Sequence, residues 1–193
     1  MTLLVVRHGR TEANAARRLL GRMDVPLDEV GRAQADALAA AIGPVDRVVT
    51  SPLARTRETA ARIEGPLEVD ERFVELDYGD YDGVGLDELP ASVWEAWRRD
   101  PAFVPPGGES LLALRARVEQ ALAELAADAA DRTVVVVTHV SPIKAAVTWA
   151  LGVGDDVVWR LFVSPASISR ILLAERGPVL QSFNDVAHLR DLG

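Results

Sequence analysis

The sequence predicts an α/β fold, a three-layer sandwich with a mainly parallel central sheet and helices on both faces. Short apolar runs recur at 3–6, 46–50, 133–138 and 167–174. Two of them, Leu3-Leu4-Val5-Val6 and Val134-Val135-Val136-Val137, are continuous rather than alternating, as strands buried on both faces read. Alanine- and leucine-rich stretches of helical period lie among these runs. Polar residues stand just past the strand ends, where sheets of this kind bind ligands.

Taken in order, the first strand stops at Arg7-His8-Gly9, and a helix-like segment follows. Residues 28–42 read as a helix, 46–50 as a strand, and 53–64 as a helix started by Ser51-Pro52. A weaker strand is expected near 67–69. The stretch from Glu75 to Gly83, rich in Gly, Asp and Tyr, reads as a loop able to come over the strand ends. Residues 84–109 show no long regular pattern and carry Trp94, Trp97, Arg98, Arg99, Phe103 and the turn Pro105-Pro106-Gly107-Gly108. They are a candidate lid, or equally an excursion that Trp94 and Trp97 pin onto the body. Residues 110–130 place Leu111, Leu114, Val118, Leu122 and Leu125 on one helical face. The strand 133–138 follows, then a helix from near Pro142, and weaker strands near 159–163 and 178–183.

The 193 residues, 49% hydrophobic and 26% charged, suit one domain spanning 1–193 with a substantial core. No apolar run approaches a membrane span, and no basic, apolar and small-residue leader opens the chain, so a cytoplasmic location is expected. The absence of cysteine excludes disulfides, thiolate nucleophiles and Cys-based zinc sites. His8, His139 and His188 are the only histidines, and none forms a short-spaced metal pair, so neither a protein-built metal centre nor a cofactor is expected. A net charge of −8 argues against nucleic-acid or anionic-membrane partners. Lys144 is the one lysine among 21 basic residues, which reads first as a compositional bias toward arginine.

His8, at a strand end between arginines and beside a glycine, fits phosphate chemistry better than packing. Arg7 and Arg55 can neutralise a phosphomonoester dianion, which lets a neutral imidazole approach phosphorus. Their charge also lowers the histidine pKa and keeps His8 nucleophilic. A carboxylic acid must protonate the leaving oxygen, and Glu75 is the best candidate, although Asp77, Asp80 and Asp82 share its loop. His139 and the Val140 N–H can donate to phosphoryl oxygens at the start of the following helix. Arg10 widens the positive field or faces solvent. Arg57, roughly 200° around the helix from Arg55, reads as surface. His188 and Lys144 read as structural or exposed.

These motifs together resemble the histidine phosphatase superfamily, in its phosphoglycerate-mutase-like branch. The resemblance rests on Arg7-His8-Gly9, Ser51-Pro52-Leu53-Ala54-Arg55, the loop from Glu75 to Gly83, Pro106-Gly107-Gly108-Glu109-Ser110 and Thr138-His139 with Pro142-Ile143. It runs in motif order from Leu4 to about Leu189. It implies that His8 is phosphorylated, that Arg7, Arg55, His139 and Asn14 hold the phosphate, and that Glu75 donates the proton. Leu20-Gly21 stands where many relatives have Gln-Gly, and Tyr81-Asp82 replaces the usual Trp-Glu, which suggests a less polar pocket mouth with Leu20 against the substrate. The segments 139–144 and 184–189 look like the α-ribazole phosphatase and acid phosphatase members. The expected activity is a metal-independent phosphomonoesterase acting on small phosphorylated metabolites. A cofactor-dependent mutase uses the same residues in a closed site, and an inactive phospholigand-binding protein is the remaining alternative. A homodimer is an expectation at the level of the family.

Overall fold

A computed structural model describes residues 1–127 and 132–192 of the chain. Its elements in order are β1 (Thr2–Arg7), α1 (Glu12–Ala15), α2 (Glu29–Ile42), β2 (Arg47–Thr50), α3 (Ala54–Ala60), β3 (Leu67–Val69), α4 (Ala91–Arg99), α5 (Leu111–Ala127), β4 (Thr133–Thr138), α6 (Val140–Leu151), β5 (Ile168–Ala174) and β6 (Gly177–Asp185). The six strands form one sheet in the order β3-β2-β4-β1-β5-β6. β1, β2, β3 and β4 are parallel neighbours; β5 pairs antiparallel with both β1 and β6, so it alone runs against the rest.

Alternation along the strands divides the core in two. Leu3, Val5, Val49, Val134 and Val136 face Leu114, Val118 and Leu122 of α5 and Ile143 and Val147 of α6. Leu4, Val6, Val48, Val135 and Val137 face the opposite side, against Leu38 of α2, Ala60 of α3 and Ile63. Both faces of the sheet are therefore covered, which is why these strands read as unbroken apolar runs. The β1–β4 register runs from Thr2 opposite Thr133 to Arg7 opposite Thr138. Thr50 of β2 lies opposite Val137. Three strands thus end at one edge, and His8, Ser51 and His139 are the residues that follow them.

Two glycines let α2 pack directly beneath the first of these ends. A Cβ on Gly31 would overlap the backbone of Arg10, and one on Gly9 would overlap the carbonyl of Gly31. Asp28 caps α2 by accepting from the Gly31 N–H at 2.7 Å, and its own N–H donates to the Arg10 carbonyl.

Some expected elements differ. No strand forms at 159–163: a 3₁₀ helix, Asp155–Arg160, turns Val158 and Trp159 toward the strand-end edge instead. The apolar alternation there serves a cavity wall rather than a sheet. Residues 84–109 contain a nine-residue helix, α4, which buries Trp97 to 2% exposure. The helix expected over 53–64 is the shorter α3, and residues 128–130 of the helix expected over 110–130 lie outside the described residues. No helix among the described residues is long and apolar enough to cross a membrane.

Candidate active site

His8 leaves the end of β1 with its ring 2% exposed. Its Nδ1 lies 2.7 Å from the Gly9 carbonyl oxygen. A carbonyl only accepts, so Nδ1 carries the proton and Nε2 holds the free lone pair. Burial, then the charges of Arg55 and Arg7, push the His8 pKa well below its ordinary value of 6.5, against the opposing bond to Gly9. The ring is therefore a neutral base at neutral pH.

Arg55, on α3, is wholly buried. Its terminal nitrogens donate to the carbonyls of Met23 at 2.8 Å and Gly21 at 2.6 Å, and its Nε donates to His139 Nδ1 at 3.2 Å. Burial lowers its pKa to about 10, with Glu75, Asp82 and Asp24 opposing, so it stays charged. The loop carrying those carbonyls is itself fixed by Asp82, whose carboxylate accepts from the N–H groups of Gly21, Arg22 and Met23 at 2.7, 2.8 and 2.8 Å. Arg7 donates to the Val163 carbonyl at 2.6 Å, and burial brings its pKa to about 10 as well. The buried Arg7 Nε has no partner among the described residues.

Glu75 is 3% exposed and sits at the N-terminus of α6. Its Oε2 accepts from Val140 N at 3.0 Å; its Oε1 accepts from Ser141 N at 3.1 Å and Leu76 N at 2.8 Å. This is the carboxylate position that the helix dipole favours. Behind it, Arg117 of α5 donates to the Glu75 carbonyl at 3.2 Å and is held by both oxygens of Glu109 at 2.8 and 2.9 Å. Glu109 of the Pro-Gly-Gly-Glu-Ser motif thus braces the Glu75 backbone.

Two expected roles change in this arrangement. The Val140 N–H, expected on phosphate, is taken by Glu75. The His139 ring lies 5.2 Å from that of His8, but its Nδ1 accepts from Arg55 and its Nε2 lies 2.8 Å from Ser51 Oγ. Its one N–H accordingly points at Ser51 rather than at a phosphate, and the ring aligns the Arg55 guanidinium. Burial and the surrounding positive charge hold His139 well below its ordinary pKa too.

The remaining expected residues scatter. Asn14 and Leu20 line the cavity at the strand ends together with Arg7, His8, Glu75 and Val140. Arg10, expected to widen the positive field or face solvent, is absent from its lining: its Nε donates to Asp28 at 2.8 Å and so helps anchor α2. Arg57 is exposed, and His188 Nε2 lies 3.0 Å from the Ala166 carbonyl. Lys144, by contrast, lines the cavity.

That cavity has a volume of about 620 Å³. Its far wall is aromatic and apolar, with Trp94 and Trp97 of α4, Trp159, Leu111 and Phe162, the last 74% exposed at the mouth. Trp94 meets Trp97 at 5.7 Å and Trp159 at 6.5 Å between ring centroids. Sequence reasoning singled out Trp94 and Trp97 but missed Trp159, Phe162 and Arg115, which lie outside the motifs. Among the described residues no group of three or more His, Asp and Glu side chains is placed to hold a metal ion.

Comparison with known proteins places the chain in a family. The family model of the histidine phosphatase superfamily (branch 1) matches residues 3–186. Phosphoserine phosphatase 1 of Hydrogenobacter thermophilus is 36% identical over 197 residues, covering 97% of this chain and 93% of that protein. A glucosyl-3-phosphoglycerate phosphatase of Mycobacterium tuberculosis is 35% identical over 160 residues, covering 74% and 72%. A bifunctional protein of the same organism is 36% identical over 177 residues, but the chain spans only 49% of its length. Among solved structures, phosphoserine phosphatase of Entamoeba histolytica in complex with 3-phosphoglyceric acid superimposes with a TM-score of 0.91 at 27% identity, covering 97% of this chain and 98% of that one. The match spans the strand ends that carry His8, Arg55 and His139 together with Glu75 of the intervening loop, and on it the chain belongs to branch 1 of the histidine phosphatase superfamily.

Proposed function

We propose that the protein is a phosphomonoesterase of small molecules that passes the phosphoryl group to His8 Nε2 and then to water. The observation that carries this reading is the His8 ring itself, tied through Nδ1 to Gly9 and kept neutral beside two buried arginines. Arg7 and Arg55 supply the positive charge that lets a neutral base approach a dianion, so the reaction needs no metal. A phosphate oxygen is a fitting acceptor for the unpaired Arg7 Nε, and Asn14 lines the same end of the cavity.

In the first half-reaction the Nε2 lone pair attacks phosphorus, the ester P–O bond breaks, and Glu75, which takes up a proton from solvent as the ester dianion binds, gives that proton to the departing oxygen. In the second, Glu75 takes a proton from water, the oxygen attacks phosphorus, the P–N bond breaks and phosphate leaves. The relatives named for phosphoserine and glucosyl-3-phosphoglycerate favour small phosphorylated metabolites as substrates. The aromatic wall favours a leaving group with an apolar body beside Leu20. Residues 84–109 serve as the lid of a single catalytic domain, Trp94 and Trp97 supplying its inner surface.

Phosphate release from a panel of phosphomonoesters, measured in EDTA for the wild type and His8→Ala, tests this. Release that survives chelation and disappears in the variant is expected. Equal release from both proteins removes His8 from the mechanism, and isomerised product without release assigns a mutase.

A further inference from the structure

We infer that Lys144 recognises a second, anionic group on the leaving portion of the substrate, a carboxylate; this rests on the phosphomonoesterase reading above. Lys144 is the only lysine of the chain, and it lines the catalytic cavity. It follows Val140 by four residues on α6, so both lie on one helical face, about 6 Å apart along the axis. Helical side chains lean toward the N-terminus, which brings the ammonium back toward the end where Val140 and Ser141 hold Glu75.

The ammonium has no hydrogen bond or ion pair among the described residues. Its marked neighbour is the Trp159 ring, with Nζ 6.0 Å from the centroid. Arg115 in the same wall is neutralised by Glu119 at 2.6 Å and Asp155 at 3.1 Å. Arg98 also lies 6.0 Å from the Trp159 ring, but it is exposed and outside the cavity lining. Among the described residues Lys144 is thus the half-buried, unpaired charge on this wall, which suits a monoanionic carboxylate better than a second phosphate dianion. Burial lowers the Lys144 pKa, Arg7 adds to the shift and Glu75 opposes it, so an incoming anion offsets a strain already present. Arg17 and Arg18 also border the cavity, but both are exposed, and solvent screens their attraction. Trp94, Trp97 and Trp159 line the same cavity as Lys144 and offer ring faces to a flat body.

The matched ligands phenyl phosphate and 3-carboxyphenyl phosphate separate this proposal from the reading beneath it. Their dissociation constants are measured calorimetrically on His8→Ala, which needs no turnover. The carboxylated ligand is expected to bind about tenfold more tightly, the effect of one charge-assisted hydrogen bond. The preference should vanish in His8→Ala/Lys144→Met and return in His8→Ala/Lys144→Arg. Equal binding of the two ligands by His8→Ala, or a preference that survives Lys144→Met, overturns the role of Lys144. Failure of the wild type to release phosphate from either ligand overturns the phosphatase reading alone if the binding preference is present.

Discussion

Acidification from pH 7 to pH 5 should destabilise this protein through two residues. Burial and nearby arginines place the folded-state pKa of both His8 and His139 well below 6.5, whereas the denatured chain titrates near 6.5. The denatured state then binds protons that the folded state refuses, so stability present above pH 6.5 is lost as pH falls toward the folded pKa values. Each refused proton contributes at most about 1.4 kcal/mol per pH unit, so about 2 kcal/mol per histidine and about 4 kcal/mol for the pair are the upper bounds between pH 6.5 and 5, reached when neither ring takes up a proton over that range. That is a large share of the roughly 5–15 kcal/mol that holds a typical domain together. Urea unfolding at pH 7.5, 6.5, 5.5 and 5.0 reads the loss directly. His8→Asn preserves a donor for the Gly9 carbonyl without a titrating ring and should halve the slope. Stability that stays flat from pH 7 to 5, or a slope unchanged by His8→Asn, would refute the assignment of a buried neutral pair.

Asp82→Asn keeps one acceptor for Gly21 but turns an amide toward the N–H groups of Arg22 and Met23. A loss of about 1–2 kcal/mol is expected, visible as a Tm lowered by about 3–6 °C. Loosening the carbonyls that grip Arg55 should also reduce kcat/KM by about ten- to a hundredfold; a lowered Tm with unchanged kinetics would uncouple that loop from Arg55. Gly31→Ala should destabilise by about 3 kcal/mol in urea unfolding, because its Cβ overlaps the Arg10 backbone. Helix propensity alone predicts the opposite sign, so a stabilised variant would show that α2 can move away from β1.

The parts legible in the sequence were those fixed by short-range pattern. β1, β2 and β4 are apolar because both sheet faces are covered, and Arg7 ends β1 while His8, Arg55 and His139 follow strand ends by five residues at most. What sequence could not settle was which of several polar partners wins. Arg10 is drawn to Asp28, a residue 18 positions away whose cap on α2 brings it close. The Val140 and Ser141 N–H groups serve Glu75, because the loop after Phe73 lays a carboxylate on the helix end. The alternation at Trp159, Leu161 and Val163 imitates a strand, yet no strand among the described residues pairs with it. Lys144 closes the 139–144 segment, but its meeting with Trp159, which lies in no motif, arises only through tertiary packing.

The mounting of Glu75 has a consequence for how such an enzyme diversifies. The acid hangs from the first turn of α6, the same junction that supplies His139, so both groups travel together with the end of β4. Their spacing from His8 is then a property of the β1–β4 register, which every one of six paired residues enforces. Substitutions in α4 or in the turn around Trp159 reshape the room offered to the leaving group while leaving that register untouched. Reaction chemistry and substrate choice are thereby inherited on separate pieces of the polypeptide, and the second can drift without eroding the first.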